Sequence, residues 1–522
     1  MSSRKSIPQW FPLLVSVLPL GMLPDTAIAS TVEASPVILA QRESSFTPQN
    51  FTDRLDENAS TTEDGHYYKV YSFEAEEGDR ITIELSSNEF DVGLGLYDRQ
   101  NEEILDRNDA ISKTKARIVV TIPHSGQYDV FVTSQEPEQT GNYQLQWRQA
   151  TEADIKLSEA TRLNQQVVEL HQQGKYTEAI PIAEKALEIR QRFLEAPHTD
   201  IADSLNNLAA LYESQGRYEE AEPLYQEALE MYKRLHGEQH PSVATSLNNL
   251  AGLYESQGRY DEAEPLYRQA LQMRKRLLGE QHPSVATSLN DLAVLYHRQG
   301  RYDEAEPLYQ EALQMYKRLH GEQHPRVAIS LNNLAALYKD QGRYEEAEPL
   351  YQEALQIYKR LHGEQHPSVA TSLNNLALLY ESQGRYDEAE PLLRQALEMR
   401  KRLLGEQHPR VATSLNNLAI LYYRQGRYDE AEPLYRQALQ MYKRLLGEQH
   451  PDVAASLNNL AALYQSQGRY DQAEPLYQEA LEMRKRLLGE QHPDVAASLN
   501  NLALLYKSQG RYEEAEPLYR QA

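Results

Sequence analysis

The sequence predicts a multidomain chain of two classes: a small all-β sandwich followed by an all-α right-handed solenoid of helical hairpins. Two observations carry this. Gly174, Gly216, Gly258, Gly300, Gly342, Gly384, Gly426, Gly468 and Gly510 are each 42 residues apart, and such a period marks an array whose units share their core with their neighbours. Ahead of the array, from Phe51 to Trp147, apolar and polar residues alternate instead, which is the period of half-buried strands.

The unit from His240 to Gln281 shows why each repeat is a hairpin. A first helix is expected to open at Pro241 or Ser242, and Leu247, Leu250, Ala251 and Tyr254 form its apolar stripe. Gly258 ends it, as glycine does where a left-handed cap is needed. Asp261 is expected to cap the second helix, with Glu264 three residues on as an Asp form of the capping box. Ala263, Leu266, Tyr267, Ala270, Leu271 and Leu277 make the second stripe, and the loop Gly279-Glu280-Gln281-His282-Pro283 leads to the next unit. Pro265 falls about four residues into this helix, where few N–H groups have intrahelical partners, so a slight bend and not a break is expected. Burying one Leu contributes roughly 1.5–3 kcal/mol, against about 1–2 kcal/mol of backbone entropy for every residue ordered. One hairpin cannot meet that; a stack can.

The spacing Leu247, Leu250, Ala251, Tyr254, Gly258, Tyr260, Ala263, Tyr267, Ala270 resembles the tetratricopeptide repeat. The strings HPSVATSLNNLA and GRYDEAEPLY, with the longer period, resemble the kinesin-light-chain variety. The resemblance runs from roughly Lys156 to the end of the chain, and departs from the standard pattern of about 34 residues in its period and in having Leu247 at the Trp position. It implies a non-enzymatic interaction scaffold with a concave groove.

The N-terminus reads as an export signal over residues 1–29: Arg4 and Lys5, then an apolar run from Trp10 to Leu23, then Ala27-Ile28-Ala29 as a small-residue cleavage site. Pro12, Pro19 and Pro24 make the run a poor spanning helix. The mature chain is expected to be exported, periplasmic or extracellular, with no membrane span. It has no Cys, so disulfides, thiol chemistry and Cys-based zinc sites are excluded.

Residues 30–50 are expected to be a polar linker and 51–150 the sandwich. Ile81, Ile83 and Leu85, then Ile118, Val120 and Ile122, then Tyr128, Val130 and Val132, and finally Tyr143, Leu145 and Trp147 mark strands. Turn signals separate them at Glu77-Gly78-Asp79, Ser125-Gly126-Gln127 and Thr140-Gly141-Asn142. Through Tyr68, Phe73, Gly78, Asp91, Leu96, Tyr97, Gly126, Tyr128, Gly141 and Tyr143 this stretch resembles the bacterial pre-peptidase C-terminal domain, with His66-Tyr67 where an acidic residue is usual. That resemblance implies an exported protein and a role in secretion or in binding surface polymers. Asp106, Asn108 and Asp109 are a candidate Ca²⁺ cluster, with turn chemistry as the default; weak polysaccharide binding is the other partner this module admits.

The solenoid spans 151–522. Its first unit is worn: Gly174-Lys175-Tyr176, Ala179, Ala183 and Ala186 keep the frame, but Gln165-Gln166 replaces the Asn pair, as in a terminal capping repeat. The sequence stops at Ala522, partway through a second helix; either more chain follows naturally or the last hairpin frays.

Core positions barely change among the copies, and variation concentrates at a few places, three of which follow. One holds Gly252, Val294, Ala336, Leu378, Ile420, Ala462 and Leu504. The next holds Glu255, His297, Lys339, Glu381, Tyr423, Gln465 and Lys507. The third holds Ser256, Arg298, Asp340, Ser382, Arg424, Ser466 and Ser508. In the resembled family these positions line the groove together with the Asn pairs, here Asn248-Asn249, Asn332-Asn333, Asn374-Asn375, Asn416-Asn417, Asn458-Asn459 and Asn500-Asn501. Asn249, Asn333, Asn375, Asn417, Asn459 and Asn501 match the position that holds a ligand's main chain, and Asp291 stands there in one repeat. A side-chain amide both donates and accepts, which suits an extended peptide; the competing reading has the pair bonding a neighbouring helix to set repeat geometry. The candidate peptide-binding set is these pairs with His297, Arg298, Lys339, Tyr423 and Arg424.

His236 and His240, His320 and His324, and His362 and His366 are four apart, but the second precedes Pro, so a loop hydrogen bond outweighs a metal site. Arg274-Lys275-Arg276 lies at the end of a helix that begins with acids, which complements the helix dipole. The net charge of −24 opposes nucleic acid. No phosphate loop, His-Glu-x-x-His string or nucleophile elbow is present; no cofactor and no catalysis are expected. Two other functions remain open: the regulatory part of a larger protein with a C-terminal peptidase-like domain, and an envelope polysaccharide-binding protein with the solenoid as spacer.

Overall fold

A computed structural model describes residues 46–62, 65–107, 110–112 and 114–522. The expected export signal and most of the linker lie outside the described residues, as do Asn108 and Asp109 of the candidate Ca²⁺ cluster. The chain divides into two compact units, 1–159 and 160–522.

The first unit holds ten described strands: β1 (Gln49–Leu55), β2 (Ser60–Thr61), β3 (Tyr67–Ala75), β4 (Arg80–Ser86), β5 (Val92–Asp98), β6 (Glu103–Arg107), β7 (Ala110–Ser112), β8 (Lys115–Thr121), β9 (Gly126–Ser134) and β10 (Gly141–Gln149). They form two antiparallel sheets, β1-β10-β4-β8-β7 and β2-β3-β9-β5-β6. Register follows the alternation in the sequence, with Leu145 opposite Leu85 and Leu96 opposite Val130. The inward residues, among them Ile83, Leu96, Tyr128, Val130, Tyr143 and Trp147, are buried in one core. Asp98 has no exposed surface and accepts from the Gln100 amide at 2.8 Å and from His124 Nε2 at 2.6 Å, which ties down the turn after β5. His66, standing where an acid was the expected residue, is buried with Nδ1 3.3 Å from the Ser134 carbonyl.

Eighteen helices follow, alternating first and second helices of a hairpin: α1 (Glu152–Gln172), α2 (Tyr176–Phe193), α3 (Thr199–Ser214), α4 (Tyr218–His236), α5 (Pro241–Ser256), α6 (Tyr260–Leu278), α7 (Pro283–Arg298), α8 (Tyr302–His320), α9 (Pro325–Asp340), α10 (Tyr344–His362), α11 (Pro367–Ser382), α12 (Tyr386–Leu404), α13 (Pro409–Arg424), α14 (Tyr428–Leu446), α15 (Pro451–Ser466), α16 (Tyr470–Leu488), α17 (Pro493–Ser508) and α18 (Tyr512–Gln521). Ala251, Ala263 and Ala270 are fully buried, which lets the helices approach, while Leu247 and Tyr267 fill the space between them. The first helices of successive repeats touch, α7 on α9, α9 on α11 and so on to α17. Their shared surface is therefore the inner side of the array.

Three details of the hairpin differ from the expectation. Asp261 does not cap α6: the helix starts one residue earlier, at Tyr260, with Arg259 as its flanking residue. Gly258 has φ +70° and returns the Arg259 amide to the Tyr254 carbonyl at 2.8 Å, so the second helix restarts immediately after the turn. Glu264 is correspondingly no capping-box acceptor; it takes hydrogen bonds from Arg301, Arg268 and Tyr296. Leu277 is exposed, as are its counterparts Leu319, Leu361 and Leu403. Pro265 is the sixth residue of α6, and the helix runs unbroken through it.

The helical unit also coils back on itself. His408 Nε2 lies 3.4 Å from the Gln172 carbonyl and His450 Nε2 3.3 Å from the Ser214 carbonyl, each 236 residues away in sequence. The hairpin turns at Gly174, Gly216 and Gly258 thus meet the loops at His408-Pro409, His450-Pro451 and His492. A Cβ on Gly174 would stand 2.6 Å from Pro409 Cδ, and one on Gly258 2.4 Å from His492 Cδ2. Only glycine fits such a seam.

Candidate functional site

Every first helix after α1 begins with the same device. A histidine (His198, His240, His282, His324, His366, His408, His450, His492) sits at the N-cap with extended backbone, and its Nδ1 accepts from the amide two residues on. Such a cap satisfies one of the orphan amides of the first turn. It also fixes the tautomer, because an accepting Nδ1 leaves the proton on Nε2. The four-apart histidines stack, with ring centroids 4.1 Å apart for His236 and His240, and the second of each pair is this cap. No group of metal-ligating residues occurs among the described residues.

Between repeats runs a clamp that sequence reasoning missed. The Arg259 guanidinium lies over the Tyr254 ring, 4.0 Å from its centroid, and pairs with Glu222 of the preceding repeat and Glu262 of its own, both at 2.7 Å. Tyr254 Oη donates to the same Glu222 at 3.0 Å. The pattern recurs through Arg301, Arg343, Arg385, Arg427, Arg469 and Arg511, with Gln472 in place of the own-repeat glutamate at Arg469. Burial would raise the Glu264 carboxyl, but hydrogen bonds from Arg301, Arg268 and Tyr296 outweigh it and lower it to about 2. The signal was present: the Arg of Gly-Arg-Tyr never varies after the first unit, where Lys175 stands.

The predicted variable positions face one another across successive first helices. Arg298 Nε reaches Glu255 at 2.8 Å, His297 Nε2 reaches Asp340 at 2.9 Å, Arg424 Nε reaches Glu381 at 2.8 Å, and Tyr423 Oη lies 2.9 Å from Ser466 Oγ. Lys339 turns instead to Asp340, at 3.2 Å. Second-helix tyrosines reach the same surface: Tyr267 donates to Glu255 and Tyr225 to Glu213, each at 2.9 Å. Burial pushes both carboxyls up, with Arg298 opposing this at Glu255 and Tyr225 at Glu213. A hollow of about 430 Å³ opens here, lined by Val294, His297, Arg298, Tyr302, Tyr309, Asn333, Ala336 and Asp340. It gathers residues from all three variable positions and one of the Asn pairs. Another, of about 670 Å³, is lined by Arg436, Leu439, Gln440, Lys443, Arg444, Glu448 and Leu460, and holds none of the predicted residues.

The Asn pairs form a ladder of their own. Asn333, Asn417, Asn459 and Asn501 donate from Nδ2 to Oδ1 of Asn290, Asn374, Asn416 and Asn458 in the preceding repeat, at 2.8–3.0 Å. Asn332 instead donates to the Ala328 carbonyl of its own helix at 3.0 Å. Asp291 cannot donate, and Asn248 bonds to it in the reversed sense; burial raises the Asp291 carboxyl against that bond. Asn249 and Asn375 are half-buried, Asn374 is buried and Asn500 is exposed. Each laddered amide keeps one N–H proton and an acceptor oxygen for another partner.

These hairpins match the family model for the tetratricopeptide repeat in overlapping windows from 167 to 522. The chain belongs to the tetratricopeptide repeat family. Residues 54–134 match the bacterial pre-peptidase C-terminal domain, so both expected resemblances hold. Among solved structures, the chain is similar to BtubC (BKLC) from P. vanneervenii, at 28% identity over 49% of this chain and 94% of that one, TM-score 0.36. It is also similar to a Podosopora anserina putative kinesin light chain with nearly identical repeats, at 29% identity over 39% and 97%, TM-score 0.34. A Rap protein complexed with Competence and Sporulation Factor aligns at 17% identity over 71% and 97%, TM-score 0.47. No curated protein matches the chain. The tetratricopeptide repeats make it a protein-interaction scaffold, a class that is generally non-enzymatic. No helix among the described residues is long and apolar enough to cross a membrane.

Proposed function

We propose that this chain is an exported scaffold whose tetratricopeptide repeats hold a peptide or helix of a partner protein along the inner face of the first helices. The observation that supports it is the coincidence of variation and geometry. The positions that differ between near-identical repeats meet across successive first helices, and all three contribute to the hollow, through Val294 and Ala336, His297, and Arg298 with Asp340. In this reading Asn333, Asn417, Asn459 and Asn501 steady a ligand's main chain with the proton and oxygen that the ladder leaves over. The variable side chains set register, with Lys339, Tyr423 and Arg424 reading the ligand beyond the hollow. Export rests on the signal-like residues 1–29 and on the match to a domain often found in secreted bacterial proteins.

The test is affinity capture from an envelope extract with the chain from residue 30 onward as bait. Asn333→Ala, His297→Ala and Tyr423→Ala together should lose the captured protein while helical content stays unchanged. Recovery equal to wild type, with the variant folded, would sink the inner-face reading. Export is tested separately, by fusing residues 1–29 to a reporter and assaying it outside the cytoplasm.

A further inference from the structure

From α4 to α16 one place in each second helix holds tyrosine: Tyr225, Tyr267, Tyr309, Tyr351, Tyr435 and Tyr477, with Leu393 replacing it in α12. The hydroxyl ends among the variable positions of its own hairpin, since a Cβ on Gly252 would stand 3.5 Å from Tyr267 Oη. Where the first helix supplies an acceptor, the hydroxyl is bonded to it. Tyr225 donates to Glu213, Tyr267 to Glu255 and Tyr477 to Gln465, each at 2.9 Å. His297, Lys339 and Tyr423 stand in that place in three other repeats. Lysine has no acceptor, His297 Nε2 is held by Asp340, and Tyr423 Oη lies against Ser466 Oγ. The hydroxyls of Tyr309, Tyr351 and Tyr435 accordingly have no hydrogen-bond partner among the described residues. These side chains are only 1%, 2% and 2% exposed, yet Tyr309 lines the hollow with Val294 and His297. The change that makes His297, Lys339 and Tyr423 unlike Glu255 thus also releases a donor.

We propose that Tyr309, Tyr351 and Tyr435 donate to main-chain carbonyls of an extended peptide lying along the inner face. This rests on the inner-face reading above and narrows it, because the occupant is then an extended chain and not a helix. The carbonyls of a helix are already bonded within it, whereas an extended chain leaves its own open to donors. Nor is the acceptor a carboxylate. The cations beside these tyrosines are each paired with an acid of this chain: His297 and Lys339 with Asp340, Arg298 with Glu255, and Arg424 with Glu381. A ligand carboxylate would find no spare countercharge, and burying it unpaired is costly; a neutral carbonyl needs none. Asn333 and Asn417, in the hairpins of Tyr351 and Tyr435, each keep one N–H beyond the ladder, so donors recur along the strip.

A random peptide display library selected on the full chain supplies the probe. The tightest peptide whose binding is lost on His297→Ala with Tyr423→Ala is synthesised with a fluorescein label and an amidated C-terminus, and its Kd is read by anisotropy. Tyr309→Phe, Tyr351→Phe and Tyr435→Phe together remove three hydroxyls that bond nothing in the free chain. Tm should therefore equal wild type, while Kd rises about tenfold or more. Tyr267→Phe, which breaks the bond to Glu255, should lower Tm instead. Replacing every Asp and Glu of the peptide by Asn and Gln should leave the loss of affinity in place. A wild-type Kd in the triple variant, a loss that vanishes with the peptide's acids, or a bound peptide that is helical by circular dichroism would overturn the proposal and leave the inner-face reading standing. Finding no peptide that depends on His297 and Tyr423 would overturn both.

Discussion

His450 Nε2 donates to the Ser214 carbonyl at 3.3 Å, while Nδ1 of the same ring accepts from the Asp452 amide at 3.0 Å. One neutral imidazole thus caps α15 and joins it to the end of α3. Protonation removes the Nδ1 acceptor and sets a cation against the positive end of a helix.

The first prediction concerns pH. Burial lowers the His450 pKa, with Asp452 and the Ser214 carbonyl opposing it. Burial also lowers His408, opposed by the Gln172 carbonyl and reinforced by Arg410 and Arg400. A folded pKa below the unfolded one means that the unfolded chain takes up protons first. The stabilisation is present above the ordinary histidine value and is lost as pH falls through the lowered folded values. Thermal melts should show Tm dropping between about pH 7 and pH 5. His408→Asn with His450→Asn, which keeps non-titrating caps, should flatten that slope; an unchanged slope counts against the histidine seam.

Arg259 stacks on Tyr254 and forks between two glutamates. Lysine keeps the charge but has neither the planar face nor the fork. Arg259→Lys should lower unfolding free energy by about 1 kcal/mol, read from urea titration, and stability equal to wild type would show the clamp to be ornamental to folding.

Arg400 is a buried guanidinium whose Nη1 donates to Ser414 Oγ at 2.7 Å, and burial lowers its pKa to about 10. Arg190, Arg274 and Arg484 repeat this arginine, but Tyr232, Tyr316, Tyr358 and Tyr442 hold the position in the other repeats, and Tyr316 Oη lies 2.8 Å from Thr287 Oγ1. Thr371 occupies the matching place near Arg400. Arg400→Tyr should therefore raise stability, by about 1 kcal/mol, since replacing a buried charge with a well-packed neutral side chain is commonly stabilising. A lower Tm would show that the guanidinium's hydrogen bonds outweigh its desolvation.

Asn459 separates structure from binding. Its ladder bond to Asn416 is 3.0 Å, so Asn459→Ala should cost about 1 kcal/mol of stability even without a partner present. If stability is untouched, the ladder sets no repeat geometry and the amide is free to serve a ligand alone.

The hairpins were legible because the local signals agree: the spacing of Leu247, Leu250, Ala251 and Tyr254 fixes one helix face, and Gly258 marks its end. Strand order in the sandwich was less so, since the alternation at Ile81–Leu85 names a face and not a neighbour. Asp261 misled because an acid in the first turn looks like a cap, while the Gly258 turn restarts the helix at Tyr260, with Arg259 at the N-cap position. The variable positions were readable from copy-to-copy differences; that Arg298 would pair with Glu255 follows only from the stacking angle between repeats. The seam had no local signal at all. It arises from small rotations summed over several repeats, and the residues it joins lie 236 apart.

That seam links copy number to durability. Near-identical tandem units in a gene invite unequal recombination, which adds or removes them whole. In an array without overlap, each lost unit would subtract one similar increment. Here the loss also withdraws one coil-to-coil contact, and with three such contacts among the described residues, at Gly174, Gly216 and Gly258, a few deletions leave an open spring with none. Strains that differ in repeat count should therefore differ in thermal endurance by a threshold and not in proportion.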